Sequence, residues 1–193
     1  MQSTSPRHQE RYTYADYKKW PESPRYELID GEAYMMAPGP TSGHQDIAGK
    51  VYRMLGNYLD GKPCRPYIAP IDVLLLDEGD EDDAGTVLQP DVLVVCDHSK
   101  IRRDGGIVGA PDLVIEVVSP RSTIRDYDIK KGKYEHYGVK EYWIVSPMTQ
   151  VITQYKLVNG MYEGADVTEG RIESSAIEGF GFELAELFAV LDF

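Results

Sequence analysis

The sequence predicts a mixed α/β (α+β) domain whose core runs helix, three strands, helix, strand. Three observations carry that reading. Between residues 41 and 59, apolar side chains recur at spacings of three and four, which is the period of an amphipathic helix. Three strand-like runs follow, from Tyr67 to Leu76, broken only by Pro70, then Leu88 to Val95 and Leu113 to Ser119, the last two nearly all apolar and β-branched. A second capped helical stretch, about 124 to 137, then leads into a further short strand, Tyr142 to Val145. With 193 residues and 42% apolar content, the chain is expected to fold as one domain over residues 1–193. Its core spans about 41–146, with an N-terminal helix and hairpin at 13–37 and a C-terminal hairpin and helix appendage at 150–193.

The elements follow from local chemistry. Thr13-Tyr14-Ala15-Asp16 resembles a capping box with Asp in place of Glu, opening a helix to about Trp20 that Pro21 and Pro24 end. Asp30-Gly31 between Tyr26–Ile29 and Glu32–Met36 is a hairpin signal. Thr41 or Ser42 can cap the first core helix, which Asp60-Gly61 stops; Ile47, Val51, Met54, Leu55, Tyr58 and Leu59 form its buried stripe, and His44 lies in its first turn. The runs around 88–95 and 113–119 are almost wholly apolar, as central strands covered on both faces are. Ser122 or Thr123 caps the second helix and Gly138 closes it. Val151 to Leu157 and Met161-Tyr162 flank Asn159-Gly160 as a second hairpin, and a short apolar helix, about Leu184 to Leu191, ends the chain.

Composition removes several classes of function. No run of about 18 apolar residues is present, so no transmembrane helix is expected. The N-terminus lacks the apolar stretch of a signal peptide, and the expected location is cytoplasmic. Two cysteines, Cys64 and Cys96, exclude a disulfide scaffold and read as small buried hydrophobes. The formal charge of −12 argues against avid binding to nucleic acid, because phosphate contacts need Lys and Arg. The excess is localised, however. Asp77 to Asp83 carries six acids and no base, and Glu163 to Glu186 carries seven acids against Arg171 alone. The remainder is balanced, and Arg121 to Lys140 holds six bases against three acids. The first acidic run reads as a solvated loop.

The informative residues are acids inside apolar strands. Asp91 sits in Pro90-Asp91-Val92-Leu93-Val94-Val95, and Glu116 in Val114-Ile115-Glu116-Val117-Val118. Burying an ionised carboxylate without a partner is costly. Either acid alone is accounted for by a structural ion pair. Two on consecutive, neighbouring strands repel unless something positive lies between them, and a divalent cation coordinated by oxygen, Mg2+ or Mn2+, is the simplest candidate. Asp112 points to the same face as Glu116, but about 13 Å of strand separates them, too far for one shared ion; it reads as a strand-start acid. Asp72 is a weaker candidate of the same kind. On the following helix, Asp126, Lys130 and Tyr134 share one face. An Asp126–Lys130 surface pair is the plain reading of that spacing. His136 reads as a surface residue.

The same residues carry a resemblance. The segments are Tyr26-Glu27-Leu28-Ile29-Asp30-Gly31-Glu32, His44, Gln89-Pro90-Asp91-Val92, Pro111-Asp112-Leu113-Val114-Ile115-Glu116-Val117-Val118-Ser119-Pro120-Arg121-Ser122, then Asp126, Lys130, Tyr134, Gly138-Val139 and Glu141-Tyr142-Trp143. Over about residues 13–158 they resemble the Uma-two family, described as putative restriction endonucleases of the PD-(D/E)XK nuclease superfamily. The resemblance implies a restriction-endonuclease-like core. It implies a metal-dependent endonuclease that hydrolyses phosphodiester bonds of DNA, with Asp91 and Glu116 binding Mg2+ (Mn2+ as a substitute) together with the Val117 carbonyl. The superfamily's usual lysine position is Val118 here, and Lys130 occupies the matching role from the next helix. His44, Glu27 and Asp126 are supporting positions, and Arg121, Arg125, Lys131 and Lys133 are candidate contacts to DNA phosphates. A homodimer and no organic cofactor are expected by the same analogy. The alternatives are a catalytically degenerate nuclease-like module that binds nucleic acid or protein, a metal-dependent phosphatase or nucleotide hydrolase acting on a small substrate, and a purely structural protein with Asp91 and Glu116 in buried salt bridges.

Overall fold

The computed structural model describes residues 11–36, 39–77, 79–103, 105–118 and 124–191, with side chains from Asp128 onward in the last segment. Two sheets share the core. The N-terminal helix α1 (Tyr14–Tyr17) opens on the expected capping box, the Thr13 N–H donating to the Asp16 carboxylate at 3.2 Å. Strands β1 (Tyr26–Ile29) and β2 (Glu32–Met35) form the hairpin, and Asp30 and Gly31 both take positive φ, 51° and 80°, as a tight Asp-Gly turn requires. Helix α2 (Ser42–Leu59) is capped by Thr41, whose side chain accepts the His44 N–H.

The next two strand runs divide differently from the sequence reading. The run 67–76 is two strands, β3 (Arg65–Ile68) and β4 (Val73–Leu75), and the run 88–95 is also two, β5 (Thr86–Leu88) and β6 (Val92–Val95). The breaks fall at Pro70 and Pro90, where the backbone has no N–H to donate to a ladder. The chain leaves one sheet at the first proline and returns at the second. Ile68 pairs with Val92 in one sheet, while Val73 pairs with Leu88 in the other. Asp91 stands at this corner, its carbonyl accepting the Ala69 N–H at 2.9 Å.

The remaining elements are β7 (Ile107–Val108), β8 (Leu113–Val117), α3 (Ile124–His136), β9 (Glu141–Ser146), β10 (Val151–Val158), β11 (Met161–Val167), β12 (Arg171–Glu173), β13 (Gly181–Glu183) and α4 (Leu184–Phe188). The six-stranded sheet has the order β11-β10-β9-β8-β6-β3 and the five-stranded sheet β2-β1-β5-β4-β7, while β12 and β13 pair separately. In the larger sheet β8 and β9 run parallel and the other neighbours antiparallel, so the helix, three strands, helix, strand order maps onto α2, β3, β6, β8, α3 and β9. The five-stranded sheet, built on the N-terminal hairpin, went unread as a sheet because β4, β5 and β7 are only two or three residues long.

Alternating side chains fill both faces of the larger sheet. Val92, Val94, Leu113, Ile115, Trp143 and Val145 meet the α2 stripe of Ile47, Val51, Leu55 and Leu59. The C-terminal segment seals the same core with Ile172, Phe180, Phe182, Leu184 and Leu187. Leu93, Val95, Val114 and Tyr142 face the other way, toward Tyr134 of α3 and toward Ile29, Val73, Leu75 and Leu88 of the smaller sheet. Each such fully buried side chain contributes about 1.5–3 kcal/mol.

The cysteines depart from the sequence reading. Arg65 pairs with Val95, so Cys64 and Cys96 meet one step further along the β3–β6 ladder and are joined as a disulfide across 32 residues. They are one cross-strand link and not two separate buried thiols; the pairing depends on a register that the sequence does not display. Among the described residues, no helix is long and apolar enough to cross a membrane.

Candidate active site

The site forms where the two sheets diverge. Extending the β6–β8 register by one residue beyond Val92↔Ile115 sets Asp91 opposite Glu116. The Val117 N–H donates to Asp91 Oδ2 at 2.8 Å, and His44 Nε2, from the first turn of α2, reaches the same oxygen at 3.1 Å. The Thr41 cap fixes that first turn, which is how a helix terminus delivers the imidazole to the strand corner. Asp91 carries no hydrogen in its ionised form, so His44 Nε2 is the donor. His44 Nδ1 is buried with no hydrogen-bond partner among the described residues.

Glu116 lies on the opposite face of β8 from Ile115 and is nearly buried. Helix α3 covers it. Lys130 Nζ donates to Glu116 Oε1 at 3.0 Å, and the Tyr134 hydroxyl, one turn further along, donates to the same oxygen at 3.0 Å. Lys130 also reaches Glu27 Oε1 of β1 at 2.8 Å. Glu27 is buried and accepts the Gln89 N–H at 2.8 Å. A polar network backs it: the Gln89 side-chain NH2 donates to Asp72 at 2.8 Å and to the Tyr17 hydroxyl at 3.1 Å, Tyr17 donates to Asp72 at 2.9 Å, and Arg25 donates to Gln89 Oε1.

Charge sets the protonation of this cluster. The Glu116 carboxyl is raised to about 7, the net of burial, which pushes it up most, of Lys130, which draws it down, and of Asp91 and Glu27, which push it up. Burial alone would lower the Lys130 ammonium, but the carboxylates of Glu116 and Glu27 outweigh it and raise its pKa. The two shifts are consistent, because a single ammonium is shared between two acids. Burial likewise opposes the His44 imidazolium, and Asp91 and then Glu116 overcome it, so its pKa is raised. Burial, then the Glu116 charge, keeps the Tyr134 hydroxyl protonated.

The donor set fits a divalent cation. Three carboxylates face one lysine and one imidazole, Glu27 and Glu116 sharing Lys130 and Asp91 paired with His44, so negative charge is left in excess when all three are ionised, and oxygen donors suit Mg2+ or Mn2+. Among the described residues, no three His, Cys, Asp or Glu side chains converge as a ready-made cage. Mg2+ is commonly held by one or two carboxylates, with water or substrate phosphate completing its shell.

Of the residues the sequence singled out, Asp91, Glu116, Val117, Lys130, His44 and Glu27 are brought together. Lys130, and not the residue at Val118, stands beside Glu116; the Val118 N–H instead donates to the Val145 carbonyl. Lys133 pairs with Asp30 at 2.6 Å, and the Lys131 ammonium lies 4.8 Å from the centre of the Tyr155 ring. Arg121 and the side chains of Arg125 and Asp126 lie outside the described residues. Asp112 is held apart from the site by Lys140 at 2.6 Å and the Cys96 N–H at 2.7 Å, and His136 is exposed beside Asp77. Asp72 serves the network behind Glu27. The sequence reading missed Gln89 and Tyr17 as that network, although Gln89 immediately precedes the Pro-Asp pair. It also gave Tyr134 no role, although its spacing from Lys130 was the available signal.

Comparison with known proteins follows the same line. A family model described as "Uma2: Putative restriction endonuclease" matches residues 14–187. The "Uncharacterized protein slr1290" of Synechocystis is 28% identical over 143 residues, covering 72% of this chain and 71% of that protein. The crystal structure described as a putative nuclease belonging to DUF820 from Anabaena variabilis superposes with a TM-score of 0.75 at 19% identity, covering 93% of this chain and 98% of that one. The second likeness is one of fold.

Proposed function

The chain belongs to the Uma2 family, and from that premise we propose that it is a metal-dependent endonuclease that hydrolyses phosphodiester bonds of DNA. The observation that carries the reading is the sharing of one buried ammonium, Lys130, between Glu27 and Glu116 with Asp91 directly opposite. A purely structural ion pair would need one acid. This cluster keeps surplus carboxylate at a point reached from α2, both sheets and α3.

Asp91 and Glu116 would hold Mg2+ or Mn2+, with the Val117 carbonyl as a further oxygen donor. Bound there, such a cation supplies charge stabilisation at the reacting phosphate and eases ionisation of the attacking water. The protein's own groups do the rest. Lys130, its pKa raised, stays an ammonium and acts as hydrogen-bond donor and fixed positive charge, not as a proton acceptor. Glu27 holds that ammonium in place and is itself held by the Gln89 N–H. His44 and the Val117 N–H orient Asp91.

The test is cleavage of supercoiled plasmid in Mg2+ or Mn2+, with single-stranded DNA and p-nitrophenyl phosphate as competing substrates. Asp91→Ala, Glu116→Ala and Lys130→Ala are each expected to cut at least about 100-fold more slowly. Asp91→Ala protein that cuts plasmid as fast as wild type, at matched metal and purity, overturns the proposal. Preference for p-nitrophenyl phosphate would instead assign a phosphatase.

A further inference from the structure

The hydrogen bonds at the two acids are distributed unevenly over their oxygens. An ionised carboxylate has two oxygens and about four lone-pair positions. At Asp91 both described donors, the Val117 N–H at 2.8 Å and His44 Nε2 at 3.1 Å, converge on Oδ2. At Glu116 both described donors, Lys130 Nζ and the Tyr134 hydroxyl, each at 3.0 Å, converge on Oε1. One oxygen of each acid thus has its lone pairs engaged. Among the described residues, Asp91 Oδ1 and Glu116 Oε2 accept nothing.

We propose that the site takes its cation through one oxygen of each acid, and that His44 and Tyr134 are the positioning residues that impose this and so select a small octahedral ion over Ca2+. This rests on the metal-dependent reading above. The chemistry is that of ligand count. Mg2+ and Mn2+ accept single-oxygen carboxylates and complete an octahedron with water, whereas Ca2+ takes six to eight oxygens and gains from two-oxygen carboxylate binding. Filling the second oxygen of each acid withholds that mode. Removing one donor returns one lone pair on that oxygen to the cation, which helps Ca2+ and disorders the carboxylate for the smaller ion. Tyr134→Phe deletes only the hydroxyl of a wholly buried ring. His44→Gln can keep a donor near the Nε2 position, and His44→Leu cannot.

The experiment is calorimetric titration of the full chain with Mn2+ and, separately, with Ca2+, alongside thermal melting of each variant to confirm folding. Wild type is expected to bind Mn2+ saturably and more tightly than Ca2+. In Tyr134→Phe and His44→Leu the Mn2+/Ca2+ affinity ratio is expected to narrow by about tenfold, and in His44→Gln to return toward wild type. A ratio unchanged or widened in Tyr134→Phe, or His44→Gln behaving as His44→Leu does, overturns the inference while leaving the metal site standing. Wild-type protein without saturable Mn2+ binding removes the metal-dependent reading itself, and the inference falls with it.

Discussion

Glu116 and Glu141 lie on parallel neighbouring strands of one sheet, β8 and β9, and both are buried. Their surroundings differ in kind. Glu141 is wholly inaccessible and saturated without a cation: Trp143 Nε1 and the Gln154 amide donate to Oε1, while the Ser174 hydroxyl and the N–H groups of Ser175 and Ala176 donate to Oε2. It ties the segment after β12 to the middle of the sheet. Glu116 has a full-charge partner, yet all its described donors crowd onto one oxygen. A buried acid therefore does not in itself mark a site. What marks one is an oxygen left open beside surplus negative charge.

The sharpest way to break this contrast is the same isosteric change at both positions. Glu116→Gln is expected to lower plasmid cleavage at least about 100-fold, the largest effect of any single substitution in the pair, with folding at pH 8 unimpaired or improved because an unbalanced charge is gone. Glu141→Gln is expected to do the reverse. An amide cannot accept on both sides, so backbone or hydroxyl donors are left facing its NH2 group. The expected cost is about 3 kcal/mol of stability, a melting temperature lower by roughly 10 °C, and near-normal Mn2+ affinity in the folded fraction. Equal loss of stability in the two variants would erase the distinction.

The contrast also explains what was readable from the sequence. Asp91 and Glu116 stood out because they interrupt strands of valine, leucine and isoleucine, and the core order of elements followed from apolar periodicity. Glu141 falls just before the expected strand Tyr142 to Val145 and drew no separate reading, and its partners at 174–176 lie more than 30 residues away. Pairings of that range, like Cys64 with Cys96, depend on register and on which loop folds back, and no local pattern encodes them. The runs 67–76 and 88–95 each read as one strand despite Pro70 and Pro90, because nothing local shows that the chain passes between two sheets at those prolines. Lys130 was identified through resemblance to a family; spacing alone offered Asp126 as its partner, and the described partners are Glu27 and Glu116.

A third prediction uses pH. The Glu116 carboxyl stands at about 7 in the folded protein against an ordinary 4.5. A folded protein that holds this proton more tightly than the unfolded chain is stabilised below the unfolded value and loses that stability as pH rises through the folded one. Metal-free protein should therefore become less stable between about pH 4.5 and 7, by up to about 3 kcal/mol from this group. His44, also raised, acts in the same direction at the upper end of the window. Urea titrations across that range should show the slope in wild type and in Glu141→Gln, and lose most of it in Glu116→Gln. A slope that survives Glu116→Gln intact would mean that another group carries the proton.

The smallest effect separates two lysines one turn apart on α3. Lys130 is nearly enclosed between Glu27 and Glu116, whereas Lys133 pairs with an Asp30 whose side chain is more than half exposed. Solvent screens the second pair, and ordering two long side chains at a surface offsets most of its attraction. Lys133→Ala should therefore change stability by less than about 1 kcal/mol and leave Mn2+ affinity at the wild-type value. If the chain acts on DNA as proposed, the remaining influence expected of Lys133 is on association with DNA. The chain carries a formal charge of −12, so binding is expected to be weak and to fall steeply with salt, and losing one phosphate contact should flatten that dependence by about one unit of slope. If Lys133→Ala instead abolished Mn2+ binding, the boundary of the site would lie beyond the acids at the strand corner, in the hairpin that holds Asp30.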